Sequence, residues 1–183
     1  MPTPTSLQPT IAEPQDPLQE VSLNQLPDSL RQAVERTGWD SLMPVQARGI
    51  PYLLVGRDML IQARTGSGKT AAFLLPMLER LDPGVDHTQA LVLVPTRELA
   101  RQVQQDAEML WADSELRTAA IYGGVGYGPQ IDALRRGAHL VVATPGRALD
   151  HLMRRTFALD RLSMLVFDEA DRMLSMGFYP DMK

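Results

Sequence analysis

The sequence predicts an α/β domain in which a mostly parallel sheet is covered by helices on both faces. Short apolar runs of strand length alternate along the chain with stretches of helical period. The runs are apolar throughout rather than on every second residue, as strands buried on both faces are. Glycine-rich or polar segments follow the runs, where an open parallel sheet gathers its ligand-binding loops. The 183 residues suit one domain able to bury a core.

Residues 1–20 carry Pro2, Pro4, Pro9, Pro14 and Pro17 among Thr, Ser, Gln and acids, and are expected to form a disordered leader. The folded domain is expected over residues 21–183. Within it, 29–37 reads as a short amphipathic helix with Leu30, Ala33 and Val34 inward, closed by Gly38. Strands are expected at 58–63, 90–94, 117–122, 139–143 and 163–167. Helices are expected at 68–80, 96–111, 129–136, 146–154 and 169–176. No internal repeat is visible.

Composition excludes several classes. With no cysteine there are no disulfides or thiolate metal sites, which fits a reducing compartment. No apolar run approaches the ~18 residues that span a bilayer, and the first residues lack the basic-then-apolar pattern of a secretion signal. A cytoplasmic protein without a membrane partner is expected. The formal charge of −4 argues against a uniformly basic surface. Without Glu13, Asp16 and Glu20 of the leader the balance is 19 acidic to 18 basic, so any nucleic-acid contact must be local.

Apart from Lys183, the one lysine is Lys69, against 16 arginines. It sits in Ala63-Arg64-Thr65-Gly66-Ser67-Gly68-Lys69-Thr70, between an apolar run and a helix. Gly66 and Gly68 let backbone N–H groups turn onto phosphate oxygens, and the helix presents its positive end. Lys69 would reach the β- and γ-phosphates and Thr70 would hold Mg²⁺. Residues 66–71 also fit the dinucleotide fingerprint GxGxxA. That reading needs an acid after the next strand, where Val94-Pro95-Thr96 stands instead, and it is rejected.

Leu165-Val166-Phe167 delivers Asp168 and Glu169 at a strand tip. Asp168 is placed to bind Mg²⁺, and Glu169 to orient and deprotonate an attacking water. The competing structural role is capping of the following helix.

With DEAD at 168–171, ARTGSGKT at 63–70, PTRELA at 95–100, Gly123-Gly124, TPGR at 144–147 and Met176-Gly177-Phe178, the chain resembles the first half of a DEAD-box RNA helicase. The motifs stand in the family's order from about Val21 onward. The resemblance implies a P-loop NTPase fold of RecA-like type, ATP and Mg²⁺ as cofactors, and Lys69, Asp168 and Glu169 as catalytic residues. It implies that Gln46, in the stretch from Gly38, reads the adenine edge, as a side-chain amide can. Leu42-Met43 replaces the family's Pro-Thr there, and Val21 and Leu23 stand where an aromatic would stack on the base, so a weaker adenine preference is expected. Thr96, Arg97, Gly124, Thr144, Gly146 and Arg147 match positions that contact the backbone of single-stranded RNA without reading sequence.

The chain stops twelve residues after the DEAD tetrapeptide. Family members continue to a Ser-Ala-Thr motif on the next strand and to a second RecA-like domain carrying an arginine finger. The domain is therefore expected to be incomplete at its C-terminus, with a gap between the phosphate-loop strand and the DEAD strand. Hydrolysis and unwinding are expected only with the second domain. Two other readings stay open: a non-catalytic nucleotide- or RNA-binding fragment, and a DNA translocase of the same superfamily. His87, His139 and His151 have no metal-ligand spacing. The methionines at 153, 164, 173 and 176 read as core filler.

Overall fold

Parallel strands need a crossover between them, and the spacing of the apolar runs leaves room for a helix each time. The computed structural model describes residues 16–178. Four of the expected runs pair as β1 (Ala90–Leu93), β2 (Thr118–Ile121), β3 (Leu140–Ala143) and β4 (Met164–Phe167). Their order is β2-β3-β1-β4, all parallel, with Leu93 level with both Ala143 and Phe167, and Ile121 level with Ala143. The four carboxyl ends thus finish together and make one rim.

Helices α1 (Asp28–Arg36), α2 (Pro44–Leu54), α3 (Lys69–Arg80), α4 (Arg97–Leu110), α5 (Gly128–Arg135), α6 (Pro145–Met153) and α7 (Ala170–Ser175) surround the sheet. Successive strand residues point to opposite faces. Accordingly Ala90, Val92, Leu140 and Val142 pack with Leu30, Leu74 and Val103 of α1, α3 and α4. Leu91, Val141 and Ile121 pack with Leu134, Ala148 and Met173 of α5, α6 and α7. Leu30, Ala33 and Val34 are fully buried, as the helical period of α1 requires.

Two elements differ from expectation. Residues 58–63 form no strand, although their composition suits one. A strand exists through its partners, and no neighbouring strand is present among the described residues. Leu60 is 97% exposed, and among the described residues β4 pairs only with β1, leaving Leu165 and Phe167 half-exposed. The sheet is incomplete on the side where a gap was expected.

The second difference is α2, which carries Gly49 and Pro51 and was not expected as a helix. Pro51 has no N–H to give to the carbonyl of Ala47, four residues back. The backbone N–H of Val21 takes that carbonyl instead, at 3.0 Å. The defect in α2 thereby becomes the anchor for the segment leading into the domain. Of the expected leader, residues 1–15 lie outside the described residues. Asp16 and Leu18 are bonded to Arg57 and the Tyr52 hydroxyl respectively. Among the described residues no helix is long and apolar enough to cross a membrane.

Both His139 and His151 are fully buried with polar partners. His139 accepts the Arg117 N–H at Nδ1 (2.9 Å) and faces the Val85 carbonyl with Nε2 (2.7 Å), which fixes the neutral Nε2–H form. Burial, chiefly, lowers the pKa of each. The Arg117 charge adds to this at His139, and Arg147 and Arg154 add to it at His151. Below an ordinary histidine pKa of about 6.5, the unfolded chain takes up protons that the fold resists. Stability is therefore full above about pH 6.5 and falls as the pH drops from there, by at most about 1.4 kcal/mol per unit for each histidine. Thermal melts between pH 7.5 and 5.5 should show a falling midpoint, with a flatter slope in His139→Gln. An unchanged slope in that variant would contradict the assignment.

Candidate nucleotide site and its rim

The phosphate loop joins residues 58–63 to the first turn of α3. Gly66 (φ +77°) and Gly68 (φ +87°) occupy the left-handed region that glycine adopts without strain. At Gly68 space is restricted as well, since a Cβ would lie 2.6 Å from Gln46 Nε2 and 2.7 Å from Met43 Sδ. The Lys69 ammonium turns back on its own loop, donating to the carbonyls of Ala63 (2.6 Å) and Arg64 (3.0 Å). The Ser67 hydroxyl is buried with no partner. A loop with an orphaned hydroxyl, turned glycines and an ammonium resting on replaceable carbonyls fits a polyphosphate.

Gln46, in the first turn of α2, is 1% exposed. Its Oε1 accepts the Met43 N–H (2.9 Å) and its Nε2 donates to the Gly68 carbonyl (3.2 Å). Met43 has no hydroxyl to offer this turn, and the Gln46 side chain caps it by taking the Met43 N–H. Gln46 is thus a strut between α2 and the phosphate loop, with one N–H and one lone pair to spare.

Asp168 and Glu169 follow β4 on the same rim. Asp168 is 9% exposed, and Oδ1 accepts the Glu169 N–H at 3.0 Å. Burial pushes its carboxyl above the usual carboxylate range; the bond from Glu169 and the Lys69 charge pull it back without cancelling the effect. A cation bound beside this carboxyl would favour its charged form. Glu169 has φ +52° and ψ +44°, a left-handed conformation that a side chain occupies at a cost. Its carboxylate does not cap α7 but pairs with Arg172 at 3.1 Å. Glu169→Gly should therefore raise the melting midpoint by about 2–4 °C, equivalent to roughly 1 kcal/mol, while removing the carboxylate. A lower midpoint would show that Glu169 is held there for packing.

A cavity of about 670 Å³ joins these parts, lined by Gln46, Thr65, Gly66, Gly68, Lys69, Thr70, Asp168 and Glu169. Trp39, Gln102, Asp106 and Met109 also line it and were not singled out from the sequence. The spacing of Leu99, Gln102, Asp106 and Met109 is that of one helix face, and this was the available signal. Burial raises the Asp106 carboxyl.

The remaining rim residues lie beyond the cavity. Thr96 caps α4, its Oγ1 accepting the Leu99 N–H at 3.2 Å and keeping its own proton free to donate. The exposed guanidinium of Arg97 lies against Gly124, with Nη1 3.6 Å from where a Cβ would stand. Thr144 bonds through its N–H to the Ile121 carbonyl at 3.0 Å, which ties the start of α6, where Gly146 lies, to the end of β2. Arg147 is turned inward: both Nη1 and Nη2 donate to the Val125 carbonyl at 3.1 Å, and its side chain is 10% exposed.

Comparison with known proteins gives the family and the fold. A model of the DEAD/DEAH box helicase family matches residues 43–183. The DEAD-box ATP-dependent RNA helicase CshA of Bacillus licheniformis is 45% identical over 159 residues, covering 87% of this chain and 33% of that protein. The ATP-dependent RNA helicase CshA of Listeria monocytogenes is 46% identical over 158 residues, covering 86% of this chain and 30% of that one. The chain thus spans about a third of the length of these curated relatives. The crystal structure of a DEAD box protein from the hyperthermophile Methanococcus jannaschii superposes with a TM-score of 0.84 at 41% identity, over 89% of this chain and 46% of that one. A hypothetical ATP-dependent RNA helicase from Sulfolobus tokodaii gives 0.79 at 38%, over 86% and 45%. Motifs, sheet order and rim geometry lead to one assignment: this chain belongs to the DEAD/DEAH box helicase family.

Proposed function

We propose that this chain is the ATP-binding, first RecA-like domain of an ATP-dependent RNA helicase, working in the cytoplasm on single-stranded RNA held by its backbone. The observation that carries this reading is that phosphate loop, paired acids and nucleic-acid motifs share one sheet rim, where open α/β sheets bind ligands. Lys69 leaves the carbonyls of Ala63 and Arg64 for the β- and γ-phosphates, with residues 63–70 around them. Thr70 and Asp168 hold Mg²⁺, and Gln46 offers its remaining donor and acceptor to adenine. Bound Mg²⁺ would supply neutralisation of the charge that develops on the phosphates. Glu169 orients water and accepts its proton.

Thr96, Arg97, Gly124, Thr144, Gly146 and Arg147 receive the RNA phosphates and sugars, aided by the positive ends of α4 and α6. ATP hydrolysis and strand separation require a second RecA-like domain closing over this rim. The test is binding of labelled oligoribonucleotides to the purified chain with Mg²⁺ and a non-hydrolysable ATP analogue. Oligouridine and oligocytidine should bind within a few-fold of each other, more tightly than DNA of equal length, with affinity falling as salt rises. Equal or tighter DNA binding would favour the DNA translocase reading. No nucleotide binding would overturn the proposal.

A further inference from the structure

The rim loop between β2 and α5 contains Gly123, Gly124 and Gly126, with Gly124 at φ +82°. Four residues with three glycines would ordinarily sample many conformations. Here the loop is fastened at three places. The Tyr122 carbonyl accepts from Gln130 Nε2 at 3.0 Å. The Val125 carbonyl accepts from both Nη atoms of Arg147. The Tyr127 ring lies between the guanidinium groups of Arg147 (4.1 Å) and Arg154 (4.2 Å), with its hydroxyl on Asp150 at 2.8 Å.

Gln130 connects these fastenings. It is 6% exposed, in a position that glutamine seldom occupies. Its nitrogen must face the Tyr122 carbonyl, so its oxygen faces His151 Nε2 (3.1 Å) and Arg147 Nη1 (3.4 Å). That places the proton of His151 on Nε2, and Nδ1 meets the Thr156 hydroxyl at 2.7 Å. One buried amide thus joins Tyr122, which leads into the glycine loop, to the arginine that holds Val125 within it.

We propose that Gln130 is a positioning residue: its buried amide holds the Gly123–Gly126 loop and Arg147 in the shape that receives a nucleic-acid backbone. The inference rests on the RNA-binding reading above. Because the loop is ordered before it meets a strand, less conformational freedom is lost on binding.

The experiment compares the wild-type chain with Gln130→Met, which keeps the side-chain length and removes both hydrogen-bonding ends. Affinity for labelled oligouridine is read with Mg²⁺ and an ATP analogue present, together with ¹⁵N relaxation of the loop amides. Gln130→Met should bind oligouridine about tenfold more weakly and show newly mobile amides at Gly123, Gly124 and Gly126. Its affinity for the ATP analogue should remain within twofold of wild type, which a general loss of structure would not allow. If Gln130→Met does not fold, Gln130→Glu decides: it keeps an acceptor for Arg147 but replaces the donor to Tyr122 with a charged oxygen that the carbonyl repels, so a loss of about threefold or more is expected. Unchanged oligouridine affinity in the folded variant, alongside a wild type that binds, overturns the inference alone. A wild type that binds the ATP analogue but no oligouridine overturns the RNA-binding reading and the inference with it.

Discussion

Replacing Lys69 by Ala is expected to weaken Mg-ATP binding by about two to three orders of magnitude while leaving the fold intact. Among the described residues that line the cavity Lys69 is the one cation, whereas Asp40, Asp106, Asp168 and Glu169 bring carboxylates. Two charge-assisted bonds to phosphate contribute about 1.5–3 kcal/mol each, partly offset because the ammonium gives up two loop carbonyls. A net loss of about 3–4 kcal/mol corresponds to the stated range. AMP, which lacks the β- and γ-phosphates, should lose far less. Lys69→Arg should not restore binding, because a planar fork does not fit where a compact ammonium sits between two carbonyls. Titration of a fluorescent ATP analogue into the wild type and both variants, with AMP as competitor, checks these expectations. An Lys69→Ala affinity within fivefold of wild type would remove Lys69 from the site.

Much of this was legible in the residues. The β1, β3 and β4 runs are apolar enough to be read as buried strands, and the segments after them carry the rim. The phosphate loop and the acid pair announce themselves by spacing, since their chemistry requires adjacent residues. Pairing was not legible. Residues 58–63 have strand composition and no strand, because composition reports the surface a segment suits and not whether a partner lies beside it. Helix α2 hid behind Gly49 and Pro51, whose penalties are met by tertiary contacts: Val21 uses the carbonyl that Pro51 strands, and at Gly49 a Cβ would stand 3.4 Å from Ile61.

The polar interior was the least legible part. Gln46 was identified by its motif, yet its bond to Gly68 spans 22 positions and leaves no local trace. Gln130, His151 and Arg147 lie on two helices, and only the fold brings them together. Sequence patterns record periodicity and adjacency; a buried hydrogen-bond network across elements has neither.

On their own, the 183 residues are expected to bind Mg-ATP yet hydrolyse it about 10³–10⁵ times more slowly than when joined to a second RecA-like domain. Charge spreads over the transferred phosphoryl oxygens in the transition state, and Lys69 alone faces it from the cavity wall. Under the proposed function, an arginine finger from a second RecA-like domain would supply a further cation. In the joined protein Glu169→Gln should lower kcat by about 10²–10⁴ with little change in ATP affinity, because the amide keeps the shape but cannot accept the proton. In the isolated chain the same substitution should change little, since without the second cation the step that Glu169 assists is already slow. Steady-state phosphate release by both forms, with and without oligouridine, separates the cases. RNA-stimulated hydrolysis by the isolated chain that disappears in Glu169→Gln would mean that these residues complete the site by themselves, with the second domain serving strand separation alone.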